Sequence, residues 1–209
     1  KYTVSYTYKN TWFLEAYYWH VKNPLEELRF QNNNTRALQS IDTNLIKEYQ
    51  YSLDLVFANP VTSWWYLQVV TSGFFIENEF FALQSNQEVA VANTYGFYGQ
   101  MYSGMVISEA LGLSSDLTAL YISNLIFGSY TYKNQFNLSA SIRKKLWDNK
   151  ASVTLAVDDI FNTNNIPVRS RYANQDNSYF ARTESRLFRV GFTYNFGNTK
   201  LKDNNRTNT

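Results

Sequence analysis

The chain has 209 residues, a net charge of +2 at pH 7, 18% aromatic and 17% charged residues, and a mean hydropathy of −0.39. It carries enough apolar surface to offset ordering entropy, which excludes disorder; no stretch of about 18 residues is mostly apolar, which excludes a membrane-spanning helix; and Ala, Glu, Lys and Leu do not dominate, which excludes a coiled coil. Cysteine is absent, so disulfides, thiolate metal sites and thiol nucleophiles are excluded, and the 19 Lys and Arg are scattered, which marks no nucleic-acid face.

The first residues, Lys1-Tyr2-Thr3-Val4, contain no Met and no signal peptide, and read as the inside of a strand in a fragment or a processed product. Over 2–8, Tyr2, Val4, Tyr6 and Tyr8 alternate with Thr3, Ser5 and Thr7. Successive strand side chains point to opposite faces, so one face is apolar and the other polar. A short turn at Lys9-Asn10 leads to a second strand over 12–22, and an Asn-rich loop over 23–44 follows. The third strand, 45–57, sets Tyr49, Tyr51, Leu53, Leu55 and Phe57 against Gln50, Ser52, Asp54 and Val56. No charge occurs between Leu55 and Ile76, but Asn59-Pro60 breaks a helix there and favours a turn. The segment therefore reads as a hairpin, turning at 58–61 into a fourth strand over 63–80.

After a loop at 81–94 come strands over 95–108 and 116–127, joined by a turn at 111–115, and then a short connection at 128–133. Phe136, Leu138, Ala140 and Ile142 alternate within strand 134–147. Asp148-Asn149 turns into 150–158, where Ala151, Val153, Leu155 and Val157 alternate. A long loop over 159–179 precedes the last strand, 180–196, in which Phe188, Val190, Phe192, Tyr194 and Phe196 share one face and Arg189, Gly191, Thr193 and Asn195 the other.

Nine antiparallel strands thus alternate between short turns on one side and longer loops on the other, the pattern of an outer-membrane barrel with tight periplasmic turns. Three features point the apolar face at lipid. The strands exceed the usual soluble length of about 5–6 residues. Trp12, Tyr18, Trp19, Trp64, Trp65, Tyr66, Trp147 and Phe196 crowd the strand ends, as headgroup-level rings do. The opposite face carries Ser, Thr, Asn, Gln and Gly, a lining suited to a wide barrel. Phe188, Val190, Phe192, Tyr194 and Phe196 are the expected lipid-facing residues, with outer-membrane lipid as their partner. An odd strand number puts the two ends on opposite sides of the membrane, so further N-terminal strands are expected outside this sequence. A soluble all-β carbohydrate-binding module is the alternative for an alternating sheet.

The segment Ser152-Val153-Thr154-Leu155-Ala156-Val157-Asp158-Asp159-Ile160-Phe161-Asn162-Thr163 resembles the Asn-Asp-Ile-Phe-Asn segment near the end of TonB-dependent outer-membrane receptors, and Phe188 to Asn198 resembles their last strand. Phe136-Asn137-Leu138-Ser139 before a Lys-Lys turn, with Asn/Tyr-rich loops, is similar to the Bacteroidetes branch of outer-membrane β-barrel proteins. The likeness is clearest over the last third of the chain. It implies an all-β antiparallel transmembrane barrel of about 22 strands, of which residues 1–196 form the C-terminal portion and 197–209 a polar tail. It also implies a plug and a TonB-contacting segment in the remaining N-terminal part, a surface lipoprotein as a further partner, and uptake of an oligosaccharide, peptide or metal chelate across the bacterial outer membrane. A non-transporting structural or assembly barrel is the alternative within this class. Asp158 stands where these receptors usually have Asn, and the tail follows the terminal aromatic at which they often end.

No catalytic, cofactor or metal site is read, and the protein is not expected to be an enzyme. His20 is the single histidine, and no Gly-x-Ser-x-Gly elbow accompanies it. Asp158, Asp159, Asn162 and Asn164 lack the spacing of a twelve-residue calcium loop and read as a strand end with Asx turns. Arg169, Arg171, Arg182, Glu184 and Arg186 suit either an anionic ligand or cross-strand ion pairs. Arg143, Lys144 and Lys145 lie by a short turn, where long cations reach headgroups. The expected ligand-binding positions are in the loops: Phe30, Asn33 and Arg36, Glu77 and Phe80, and Arg169 and Arg171.

Overall fold

The computed structural model describes residues 1–32 and 34–196. In chain order its strands are β1 (Tyr2–Tyr8), β2 (Trp12–Lys22), β3 (Leu25–Gln31), β4 (Leu38–Asn44), β5 (Lys47–Pro60), β6 (Trp65–Phe81), β7 (Val89–Ser108) and β8 (Leu113–Ile122). There follow β9 (Leu125–Phe127), β10 (Tyr130–Tyr132), β11 (Gln135–Leu146), β12 (Ala151–Asp158), β13 (Asn165–Tyr172), β14 (Gln175–Arg182) and β15 (Leu187–Tyr194). Among the described residues there is no helix.

One sheet holds nine strands in the order β1-β2-β5-β6-β7-β8-β11-β12-β15, every neighbouring pair antiparallel. These are the nine strands expected from the alternation. The sheet is open, with β1 and β15 as its edges. Its short turns use backbone that few residues adopt: Lys9 and Asn10 have φ of 50° and 52°, and Trp147, Asp148 and Asn149 have 53°, 52° and 68°. Asn and Asp tolerate this left-handed region better than most side chains, and it matches the twist of a hairpin.

Four expectations need correction. The connections at 23–44 and 159–179 are not plain loops but contain the hairpins β3–β4 and β13–β14. The strand expected over 116–127 ends at Ile122, and Leu125–Phe127 joins another sheet. The last strand is Leu187–Tyr194, because residues 180–182 belong to β14. Strand β5 runs through Pro60, whose partner is Tyr66, so the turn falls at 61–64; Pro is tolerated at the sheet's rim, where a missing N–H donor matters least.

The connections build two small sheets, β14-β13-β10-β9 and β3-β4. Between them lies the main buried apolar cluster of the described residues: Leu28, Leu45, Phe80, Ala82 and Tyr172, with Phe30, Leu83, Ala90 and Ala92 against it. The large sheet keeps its apolar side chains on the surface. Val4, Phe188 and Val190 are 76%, 78% and 78% exposed. Burial is therefore inverted: the loops are packed, and the long strands present their apolar residues outward.

Candidate functional site: two faces of a sheet and a cap of loops

Register carries one apolar face across the sheet. Tyr6, Leu14, Leu55, Thr71, Gly99, Tyr121 and Phe136 are successive cross-strand partners. Val190, Leu155, Ile142, Ser115, Met105 and Trp65 form another such row. Ser103, a polar intruder on this face, accepts a hydrogen bond from the Trp65 indole at 2.8 Å.

Rings rim this face at both ends. Towards the long loops, Tyr2, Tyr18, Tyr51, Phe75 and Tyr95 follow one another at centroid distances of 6.4, 4.9, 6.2 and 4.7 Å. His20 stacks on Tyr49 at 4.6 Å in the same belt, on the apolar face and away from any cluster of ligand groups. Towards the short turns lie Trp12 with Phe57, and Trp147 with Phe192 and Tyr194. Beyond the upper belt the same face turns polar: Glu77 lies between Tyr49 and Asn93, and Lys47 pairs with Glu79 at 2.7 Å.

The opposite face is polar and internally bonded. Ser52 and Ser72 donate to Asp54 at 2.5 and 2.6 Å. Tyr102 and Ser141 donate to Asp116 at 2.6 and 3.1 Å. Gln50 donates to the Tyr17 hydroxyl at 2.7 Å, and Arg189 pairs with Asp158 at 2.7 Å.

The loop sheets fold over this polar face. Phe80 projects from the polar side of β6, is fully buried, and meets Tyr172 edge-on at 5.2 Å. The Tyr172 hydroxyl donates to the Arg29 carbonyl at 2.7 Å, and burial pushes its pKa up to about 12. Arg29 lies between the rings of Tyr130 and Tyr179, at 5.2 and 4.8 Å. The Tyr130 hydroxyl donates to Glu27 and holds that carboxyl below its ordinary range, while burial raises Tyr130 itself.

Asp159 is fully buried at the start of the last long connection. Burial alone would raise its carboxyl, but the Ser185 hydroxyl, the Thr163 and Asn164 amides at 3.0 and 3.1 Å, and the nearby charge of Arg186 together hold it below the ordinary range.

Of the expected ligand positions, Phe30 and Phe80 are brought together, but inside the cap: Phe80 has no accessible surface and Phe30 packs against the same cluster. Glu77 lies on the apolar-side face, directed away from the cap. Arg36 stands at the tip between β3 and β4 with φ of 56°. Asn33 lies outside the described residues, as does the tail 197–209. Arg169 and Arg171 are together on the outward side of β13. There Arg169 binds Asp176 through both guanidinium and carboxylate groups, holding that carboxyl low, and Arg171 approaches Asp176 to 3.9 Å. Arg169 and Asp176, with Lys133, Pro167, Ser178 and Phe180, line an open cavity of about 670 Å³, and Arg171 stands outside that lining. Arg29 and its two tyrosines were not legible as a site, because they come from three connections with no shared motif.

A family model described as an outer membrane protein beta-barrel family matches residues 1–194. No curated protein and no solved structure matches the chain.

Proposed function

The chain belongs to the outer membrane protein beta-barrel family and is a protein of the bacterial outer membrane; from that premise we propose that it forms part of a TonB-dependent receptor that takes up a nutrient through a wide, plugged barrel. In this reading the apolar face meets lipid between the two ring belts, and the polar face lines the lumen. The short turns are periplasmic and the cap faces outward.

The observation that carries the reading is the polar face itself. Asp54 and Asp116 with their hydroxyl partners, and Arg189 with Asp158, run across a sheet that is already nine strands wide and still open. Lipid offers no partner to a free edge N–H or C=O, so both edges must be paired. Register supports adding strands from elsewhere in the receptor. Tyr2 and Leu187 both start at the long-loop end, so β1 and β15 run the same way, and an all-antiparallel barrel needs an odd number of strands inserted between them. A barrel that wide encloses water or a plug rather than a packed core. The cap supplies cations, carboxylates and exposed rings at the mouth, a mixture that suits an oligosaccharide, a peptide or a chelate.

The test is uptake by the native bacterium carrying or lacking the gene, with and without a protonophore, over a panel of labelled oligosaccharides, peptides and metal chelates. Loss of one energised uptake on deletion supports the reading. Unchanged uptake across the panel, with the barrel present and assembled in the parent strain, identifies a non-transporting structural barrel instead.

A further inference from the structure

Asn78 carries an unexplained group. The residue is 1% exposed, it stands on the polar side of β6, and its Oδ1 has no hydrogen-bond partner. Its orientation is fixed by the other half of the amide, because Nδ2 donates to the Gly128 carbonyl at 3.1 Å. Exchanging the two ends would set oxygen against oxygen, so the orphan is an acceptor. A buried acceptor without a donor has its lost hydration uncompensated, and native interiors seldom retain one.

Two glutamates come from the elements on either side of it. Glu48 on β5 is the direct cross-strand partner of Asn78, on the same face. Glu26 on β3 comes from the opposite side: a Cβ built on Gly128 would lie 3.4 Å from the Glu26 Cβ and would collide with the Glu27 carbonyl. That close approach is why position 128, with φ of 53°, is glycine. Burial raises the pKa of the Glu26 carboxyl. Neither glutamate has a cationic partner among the described residues.

We propose that Glu26, Glu48 and Asn78 Oδ1 bind one calcium ion, which ties the β3–β4 hairpin and the connection at Gly128 to the top of β5 and β6. Calcium takes six to eight oxygen ligands in flexible geometry. Two bidentate carboxylates and one amide oxygen supply about five, and water completes the shell. Among the described residues, three His, Cys, Asp or Glu side chains converge nowhere. The amide oxygen takes the third place here, and no neighbouring group donates to it. Magnesium fits less well, because it demands a tight octahedron and gives up water reluctantly. The site does not depend on what the receptor carries.

The test uses the purified full-length protein in detergent micelles, stripped with EGTA and titrated with calcium chloride by calorimetry. Tryptic cleavage at Lys22, Arg29 and Arg36 is followed in parallel. The expected result is a site with a dissociation constant of about 0.1–1 mM, the range of extracellular calcium modules, together with slower cleavage when calcium is present. The double variant Glu26→Gln/Glu48→Gln removes that site from the titration and abolishes the protection. Single Glu48→Gln, whose amide can donate to Asn78 Oδ1, stays folded and weakens binding by about tenfold or more. Glu88→Gln, on an exposed loop, leaves the titration unchanged. Absence of saturable binding, undiminished binding in the double variant, or equal protection in EGTA and calcium each overturn the proposal.

Discussion

Val190 and Thr193 sit on the same strand three residues apart and on opposite faces. On the proposed reading, in which Val190 is directed at hydrocarbon, Val190→Arg destabilises the folded protein in bilayers by about 2–4 kcal/mol. Thr193→Arg, on the polar face, loses well under half of that; urea unfolding in lipid vesicles measures both, and equal losses contradict the face assignment. Asp159 makes a different prediction. Its folded pKa is depressed, so the stability it contributes is present above the ordinary carboxylate range near about 3.9 and is lost as pH falls through the folded value. Asp159→Asn is therefore less stable than wild type at pH 7 by about 1–3 kcal/mol. The gap between the two urea midpoints closes on acidification below about pH 4. Phe80→Ala empties the centre of the cap and costs about 3–5 kcal/mol of its packing. Hydrogen exchange should register this in β3, β4 and β13 while β11 and β12, distant from the cluster, keep their protection.

At the level of strands, Gly96 marks where a connection meets the sheet. A side chain there would run into the Phe74 ring and come within 2.5 Å of the Asn124 carbonyl. Gly96→Ala overpacks that contact by about 1–3 kcal/mol, whereas Gly73→Ala, with open space around it, changes stability little; parallel thermal melts of the two variants separate these cases. The nine long strands were legible because alternation is strong wherever one face is apolar and the other is wet, as in Phe188 to Tyr194. The hairpins in the connections were harder to read. In β3 the sequence Leu-Glu-Glu-Leu-Arg-Phe-Gln buries Leu28 and shields Phe30, with charges on either side, so no clean period of two appears. In β13 the alternation was present, with Ile166, Val168 and Tyr172 inward and Arg169 and Arg171 outward, but Pro167 and the Asn-rich surroundings disguised it as loop. The sequence pointed to Arg169 and Arg171 as neighbours, and they are. It could not place Phe80, because whether a ring at a strand end meets ligand or core depends on connections that are distant in the chain.

For the whole molecule, the family and the outer-membrane location rest on the chain as far as residue 194, while the cap holds the main buried apolar cluster of the described residues. Its cluster joins Leu28 and Tyr172 from the connections to Phe80 and Ala82, which lie in and just after a strand of the large sheet. An overhang anchored by a ring growing out of the wall beneath cannot swing clear like a hinged lid, since lifting it would drag the phenyl group into water. On the uptake proposed above, cargo arriving from outside passes beside this buttress, through whatever stretch of rim the buttress leaves uncovered.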